Sequence, residues 1–259
     1  MIDIDSREPT TAVPPAGGRS IRVIHTIGWT FIYLGVFTLG FVVDQLFVTT
    51  WFAQQAQSDL AVERISQWED TDITDVVVLP PAEPATDDPE PGTDNPAPGG
   101  GGSSPLILKV ESDPEPGSAF ALIRIPKLER LAEGWNVVEG VRTVDLRNGA
   151  GHMPGTALPG QPGNTVISGH RTTYGQPFHE LDLLGPGDRI EVDTALGTHV
   201  YEVRETLVVG PKDVWVTDPR EGGWLTLTTC HPKFSARQRL VVVAELVSGP
   251  NADVIGAMT

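Results

Sequence analysis

The chain has one cysteine, Cys230, which ends the run WLTLTTC. A lone cysteine cannot form an intrachain disulfide, and the sequence lacks the further cysteines of a thiolate zinc site. Three interpretations remain: a buried small apolar residue, an intermolecular crosslink or a nucleophile. The alternation of the run predicts a β-strand, and a side chain at its end would be both rigid and accessible, which suits a nucleophile.

A thiol needs a basic or cationic neighbour to react at neutral pH, because the thiolate is the nucleophile and a free thiol has a pKa of about 8.5. His170 ends NTVISGH, a second predicted strand, and Arg239 opens RLVVVAEL, directly after Cys230 and its turn. In such a group the thiolate attacks a carbonyl carbon, the imidazolium protonates the leaving amine, and the arginine stabilises the oxyanion. Arg237 is the alternative arginine.

Four further residues are candidates for substrate contact. Thr228 and Thr229 directly precede Cys230, Tyr174 follows His170 by four residues, and His152 lies in the Gly- and Pro-rich run AGHMPGTALPGQPGN. For each of them a packing or structural role is the alternative. The alternation predicts two faces for the strand, with Trp224, Thr226 and Thr228 on one and Leu225, Leu227 and Thr229 on the other.

The elements that precede these residues begin with an apolar run from Val23 to Val43 that contains no Asp, Glu, Lys or Arg. Its helix would be roughly 31 Å long, the thickness of a bilayer core, so the run predicts a transmembrane helix. A signal peptide or a buried core helix is the alternative, but no A-x-A-like cleavage site precedes Asp44. The basic residues Arg7, Arg19 and Arg22 before the run predict a cytoplasmic N-terminus and an exported remainder.

The next segment is acidic and rich in turn-forming residues. Asp44–Trp68 is compatible with an amphipathic helix, whereas Leu79–Ser104 is rich in Pro, Gly and acidic residues and predicts a disordered linker. With the acidic stretch from Asp59 onward we expect about 46 residues of flexible stalk, with a reach of roughly 35–40 Å. This segment carries most of the net charge of the chain. The net charge of −16 argues against a nucleic-acid partner, because phosphate binding needs a basic surface.

Ordered patterning runs from Pro105 to about Val247, where short β-rich runs alternate with turns and predict a closed barrel or a sandwich. The predicted strands are Phe120–Pro126, Asn164–His170, Asp188–Asp193, Thr198–Val209, Trp224–Cys230 and Arg239–Leu246. Short helical turns fit Thr143–Gly149 and Gln176–Leu184. Phosphate-binding motifs of the GxxxxGK[ST] and GxGxxG types are absent from the sequence, and no cofactor or metal is expected.

The run TLTTC followed by RLVV, with SGH about sixty residues upstream, resembles the sortases, the cysteine transpeptidases of Gram-positive cell envelopes. The similarity covers roughly Phe120–Leu246. The runs IPKL, GHMPGTALPGQPGN, GHRTTYGQPF and LTLTTCHPKFSARQRLVV are similar to the actinobacterial class E branch. The resemblance implies a mainly β fold: an eight-stranded sortase-type barrel with a few short helices, here preceded by one transmembrane helix and a disordered stalk.

The resemblance also implies an activity. Sortases cleave a C-terminal sorting signal between Thr and Gly, form a thioester, and transfer the protein to an amine. For this branch the signal is of the LAXTG rather than the LPXTG type, and the acceptor is commonly a lipid-linked peptidoglycan precursor. The matching catalytic residues are Cys230, His170 and Arg239. The implied location is the cell membrane, with surface proteins that bear sorting signals as partners.

Three alternatives stay open: a cysteine hydrolase or peptidase on the same scaffold, a pilin-polymerising sortase, and an inactive binding domain with a structural thiol. Pilin-polymerising members carry an Asp-Pro-aromatic lid, whereas this chain has Glu115 after Asp113-Pro114. The predicted organisation is a cytoplasmic tail (1–22), a transmembrane helix (23–43), a juxtamembrane segment and linker (44–104), a catalytic domain (105–250) and a C-terminal tail (251–259).

Overall fold

The computed structural model describes residues 18–44, 49–79 and 105–259 and divides into two compact units, 1–45 and 46–259. The first contains helix α1 (Gly18–Val43), whose apolar part, Val23–Val43, has a mean hydropathy of 1.8 and is fully exposed. Thr30 and Thr38 donate their hydroxyls to carbonyls four residues earlier in this helix. In length and composition α1 is therefore suited to crossing a membrane.

The second unit contains three described helices, α2 (Thr49–Asp70), α3 (Thr143–Asn148) and α4 (Ala252–Gly256). Its described strands are β1 (Ile73–Val78), β2 (Leu106–Glu111), β3 (Ala119–Arg124), β4 (Trp135–Glu139), β5 (Ala150–His152), β6 (Gly163–Ser168), β7 (Arg189–Thr194), β8 (Gly197–Val209), β9 (Gly223–His231) and β10 (Gln238–Ser248). Short 3₁₀ turns lie at Glu129–Leu131, Leu181–Leu183 and Val214–Thr217.

Strands β3 to β10 close into an eight-stranded barrel in the order β10-β8-β7-β3-β4-β5-β6-β9. The pairs β4–β5 and β6–β9 are parallel, and the others are antiparallel. Alternate side chains fill the interior, as in other small barrels. The core includes Ile123, Ile167, Leu225, Leu227 and Val242. The barrel expected from the sequence is thus confirmed.

Six of the barrel strands coincide with the runs found by alternation, but β4 and β5 were missed. Every residue of β4 is buried, so the strand shows no alternation of apolar and polar residues. β5 is three residues long and opens the Gly- and Pro-rich run that was expected to be a loop. The helical turn expected at Thr143–Gly149 is confirmed as α3.

The expected flexible chain from Asp59 onward is wrong for the residues up to Val78. Helix α2 packs on the barrel wall, where Leu60 joins Ala119 and Val138 in a small apolar cluster. The Trp68 indole donates to the carbonyl of Phe120, and Arg64 Nε donates to Asn136 Oδ1 at 2.8 Å. α2 is therefore an integral part of the barrel unit.

Strand β1 also belongs to this unit, because it pairs along its whole length with β2, from Ile73↔Glu111 to Val78↔Leu106. The Pro-, Gly- and acid-rich segment between them, Leu79–Ser104, lies outside the described residues except for Leu79. Because Val78 and Leu106 are paired, the chain leaves the folded unit after β1 and returns to the same unit at β2. It forms a connection between two strands rather than the tether that the sequence suggested.

The last residues are also ordered, although 251–259 were expected to be a tail. Asn251 is fully buried, and its amide donates to the carbonyls of Lys109 and Gly160. Ile255 of α4 is 4% exposed. These contacts hold the residues before α4 against β2 and against the loop after β5.

Candidate active site

Parallel pairing of β6 and β9 brings the predicted imidazole and thiol to one rim of the barrel. The register runs to Ser168↔Thr228, and the next amide, Gly169 N, donates to the Thr228 carbonyl at 3.1 Å. Two residues beyond the pair Ser168↔Thr228, one on each strand, lie His170 and Cys230. Because neighbouring strands are about 4.8 Å apart, the two functional residues leave the sheet side by side.

The two faces of β9 are as predicted. Leu225 and Leu227 lie in the core. Thr229 is 3% exposed on the same inner face and donates its hydroxyl to the Gly169 carbonyl at 2.7 Å. Thr228 lies on the outer face with half-buried Cys230, and its hydroxyl is 2.9 Å from the Ser168 hydroxyl. Thr228 can therefore line a groove at the thiol, whereas Thr229 ties the two strand ends together from inside.

Arg239 lies directly opposite Cys230 in the antiparallel pair β9–β10. Opposed residues of such a pair point to the same face with Cβ atoms about 5 Å apart, so the guanidinium can reach a group bound to the thiol. Its Nη1 donates to the carbonyls of Ala236 and Gln238, both at 3.0 Å, in the turn between the strands. Arg237 lies in that turn and is exposed. The register puts Arg239, rather than Arg237, opposite Cys230.

His170 is half-buried beneath a small cationic and aromatic cluster. Its ring centroid is 5.0 Å from that of Tyr174, and the Arg147 guanidinium lies 5.6 Å from the Tyr174 ring. Nε2 of His170 has no hydrogen-bond partner among the described residues. Burial, and secondarily the positive charge of Arg147, lower the pKa of His170 below its ordinary value. The free protein at pH 7 therefore holds this imidazole mainly neutral, able to accept the thiol proton.

A left-handed turn fixes Tyr174 against His170. Tyr174, Gly175 and Gln176 have φ angles of 51°, 76° and 55° in succession, a conformation that costs non-glycine residues about 1–3 kcal/mol each. A Cβ at Gly175 would come within 2.4 Å of the Trp135 ring and 3.4 Å of Ala53 on α2. Close packing against β4 and α2 therefore maintains the strained turn.

Replacing Arg147 with glutamine is expected to move the acid limb of the pH profile of kcat/KM to higher pH. Arg147 is a cation that disfavours protonation of His170, so its removal raises the pKa of His170, although burial keeps that pKa below the ordinary value. The reactive Cys230–His170 pair carries one proton, and activity falls when the second is added. Measurements of kcat/KM between pH 4 and 8 locate this acid limb.

The matched control is Arg220→Gln, which also removes an arginine that lies over an aromatic ring, 5.3 Å from Trp224. Trp224 is the second residue of β9, so this arginine is at the opposite end of the strand from Cys230 and the neighbouring His170. The control should leave the acid limb unchanged. Superimposable profiles for wild type and Arg147→Gln would disprove the electrostatic link.

His152 is in the interior, away from the rim. It is 1% exposed; Nδ1 lies 2.6 Å from a Glu139 carboxylate oxygen, and Nε2 lies 3.1 Å from the Ala157 carbonyl and 3.0 Å from the Thr156 hydroxyl. Both ring nitrogens are thus occupied in fixing the loop after β5. Of the two roles considered from the sequence, these contacts favour the structural one.

Two arginines at the site were not assigned a role from the sequence. Arg147 lies on α3, twenty-three residues before His170, and no local motif connects them. Arg171 follows His170 directly and contacts the Cys230 strand end. Within the described residues no group of three or more His, Cys, Asp or Glu side chains is arranged to hold a metal ion.

Residues 123–247 match the family model of the sortase domain. Among curated proteins, Sortase SrtE1 of Streptomyces coelicolor is 36% identical over 149 residues, covering 51% of this chain and 42% of the relative. Sortase D of Bacillus subtilis is 34% identical over 125 residues, covering 48% and 60%. The chain thus spans less than two thirds of the length of either relative.

Solved structures are also similar. SrtF sortase from Corynebacterium diphtheriae is 30% identical, with a TM-score of 0.50 over 54% of this chain and 91% of that chain. Sortase E from Streptomyces avermitilis is 37% identical, with a TM-score of 0.49 over 53% of this chain and 93% of that chain.

Proposed function

Because the chain belongs to the sortase family, we propose that it is a membrane-anchored cysteine transpeptidase in which Cys230, His170 and Arg239 carry the reaction. The observation that supports this most directly is the parallel register of β6 and β9, whose last pair, Ser168↔Thr228, comes two residues before His170 and Cys230. Arg239 opposite Cys230 completes the set.

The proposed reaction has two acyl transfers. His170 takes the Cys230 proton, the sulfur attacks the carbonyl carbon of Thr in the sorting signal, and Arg239 donates hydrogen bonds to the oxyanion. The imidazolium then protonates the leaving Gly amine as the Thr–Gly bond breaks and a thioester forms. An acceptor amine attacks the thioester, its proton passes to the catalytic pair, and the thiol is released.

The proposed substrate is a surface protein with an LAXTG- or LPXTG-type signal. Thr228 shares the outer face with Cys230, and Tyr174 contacts the His170 ring, so these two are the proposed groove residues. Thr229 and His152 are proposed to act through the supporting structure, since their polar atoms bond inside the protein. The proposed acceptor is an amine of a lipid-linked peptidoglycan precursor.

Helix α1 is the proposed anchor in the cell membrane, with 1–22 in the cytoplasm and the remainder exported, because the basic residues precede the apolar run. The proposed catalytic domain contains the barrel of 105–250 together with α2, β1 and α4, which pack on it. This arrangement gives the enzyme access to acceptors that are themselves held at the membrane.

A pilin polymerase is disfavoured by the position of Ser112–Gly117, the Asp-Pro segment that the structure describes just before the first barrel strand. Gly117 N donates to the Glu139 carbonyl at 2.6 Å, at the C-terminal end of β4. The strands that lead from β4 to β6 place this end away from the rim that carries His170. The segment therefore does not cover Cys230 as a lid would.

We expect the full-length protein in detergent micelles to cleave an LAXTG peptide between Thr and Gly, and to join the new Thr end to added amine. Mass spectrometry of the products with and without an amine such as diaminopimelic acid measures both steps. An amine adduct supports the transpeptidase. Exclusive release of the free acid, even in excess amine, would establish the hydrolase instead, and no cleavage at all would refute both.

A further inference from the structure

The guanidinium of Arg171 joins the two strand ends that bear the imidazole and the thiol. Arg171 follows His170 directly, yet it is only 3% exposed. Nη1 lies 2.8 Å from Nδ1 of His231 and 3.3 Å from the carbonyl oxygen of Cys230. Nη2 lies 2.9 Å from the carboxylate of Asp182. One side chain thus spans from the β6 end to the β9 end.

The bond to His231 sets the tautomer of that ring. A guanidinium has only donors, so Nδ1 of His231 must accept, and the proton of the neutral ring then lies on Nε2. The planar fork of Arg171 also limits how far the Cys230 carbonyl can move relative to His170.

The main chain on the His170 side is fixed independently. Phe178 N donates to the His170 carbonyl at 3.1 Å, and Nδ1 of His179 lies 2.8 Å from the Arg171 carbonyl. Asp182, which binds the guanidinium, follows on the same loop, in the 3₁₀ turn Leu181–Leu183. The end of β6 is therefore held in place, and the bonds of Arg171 fix the end of β9 relative to it.

We propose that Arg171 is a positioning residue that holds Cys230 at its working distance from His170 through the Cys230 carbonyl and His231. It touches neither substrate nor the reacting atoms. The proposal rests on the proposed function where it is tested by enzyme kinetics, because those measurements follow cleavage of an LAXTG peptide. Displacement of reacting groups by about 1 Å can lower a rate by about 100-fold, and this sets the size of the expected effect.

The test compares Arg171→Met, Arg171→Lys and Asp182→Asn in the full-length chain. Arg171→Met should lower kcat by roughly 10–100-fold and leave KM within about twofold, because the groove residues are unchanged. Arg171→Lys keeps one donor but not the fork, so it should recover part of the loss. Asp182→Asn should lower kcat less and in the same direction. If Arg171→Met does not fold, the kcat values of Arg171→Lys and Asp182→Asn still test the proposal.

The matched control is Arg124→Met. Arg124 also makes two ion pairs, with Glu191 and Asp193, but it lies on β3, which is opposite β9 in the barrel order. This variant should lower the melting temperature without lowering kcat. Equal kcat losses in Arg171→Met and Arg124→Met, or wild-type kcat in Arg171→Met and Arg171→Lys, would overturn the proposal.

A second arm needs no sorting signal. Alkylation of Cys230 by iodoacetamide at pH 7 depends on thiolate formation, which the adjacent imidazole promotes. It should slow about tenfold in Arg171→Met and remain at the wild-type rate in Arg124→Met. If wild-type protein does not cleave the peptide, the proposed function fails. An unchanged alkylation rate in Arg171→Met contradicts the positioning role whether or not the peptide is cleaved.

Discussion

Cleavage of an LAXTG peptide is expected to stop when Cys230 is replaced by alanine, because the thioester cannot form without the sulfur. The loss should reach the detection limit rather than a partial value, since a nucleophile and its base act as one unit. His170→Ala should approach the same limit, because the other imidazole at this strand end, His231, has its Nδ1 bonded to Arg171. Turnover is measured by chromatography of the peptide products, together with the mass of the trapped acyl-enzyme.

Both variants should remain folded, which separates loss of chemistry from loss of structure. Cys230 and His170 are only half-buried at strand ends, so their truncation leaves the core cluster of Ile167, Leu225 and Leu227 intact. Circular dichroism and melting temperature close to wild type are the control. Wild-type turnover by Cys230→Ala would remove the thiol from the mechanism and leave the interpretation of a small packing residue.

The position of Cys230 at a strand end could be predicted, because the alternation in WLTLTTC is a local signal. Its adjacency to His170 could not be derived from alternation, since it depends on parallel pairing between segments about sixty residues apart. The resemblance to sortases supplied what the local pattern lacked. Arg239 required only the pairing of consecutive strands, and the register confirms it opposite Cys230.

A helix in this region was compatible with the sequence, and polar contacts explain why its packing on the barrel could not be predicted. The face of α2 that packs on the barrel includes Gln57, Arg64 and Trp68, whose polar atoms bond to β3 and β4, so the helix shows no continuous apolar stripe. Another buried polar group is His199 on β8, which is fully buried with Nε2 3.1 Å from the Thr194 hydroxyl. Burial lowers the pKa of His199 to about 4, which keeps it neutral inside the barrel at pH 7.

Replacing Arg239 with alanine is expected to lower kcat by about 100- to 1,000-fold, the roughly 3–4 kcal/mol that one oxyanion donor contributes. Its guanidinium is the cation that β9–β10 pairing holds opposite Cys230. In the free protein it donates to the carbonyls of Ala236 and Gln238. A donor held in the adjoining turn needs only a short side-chain movement to reach an oxygen bound at Cys230, and that bond strengthens as the oxyanion forms.

Arg237→Ala is the matched control, since it removes the same charge two residues away, from an exposed side chain in the turn. It should leave kcat within about twofold of wild type, as expected for an exposed substitution away from the site. Arg239→Lys separates donation to the oxyanion from the bonds that Arg239 makes to the carbonyls of the turn. Lysine keeps a single donor, so kcat should recover part of the loss if the oxyanion is the target. Equal losses in Arg239→Ala and Arg237→Ala would mean that net positive charge on the turn, rather than one directed donor, supports the reaction.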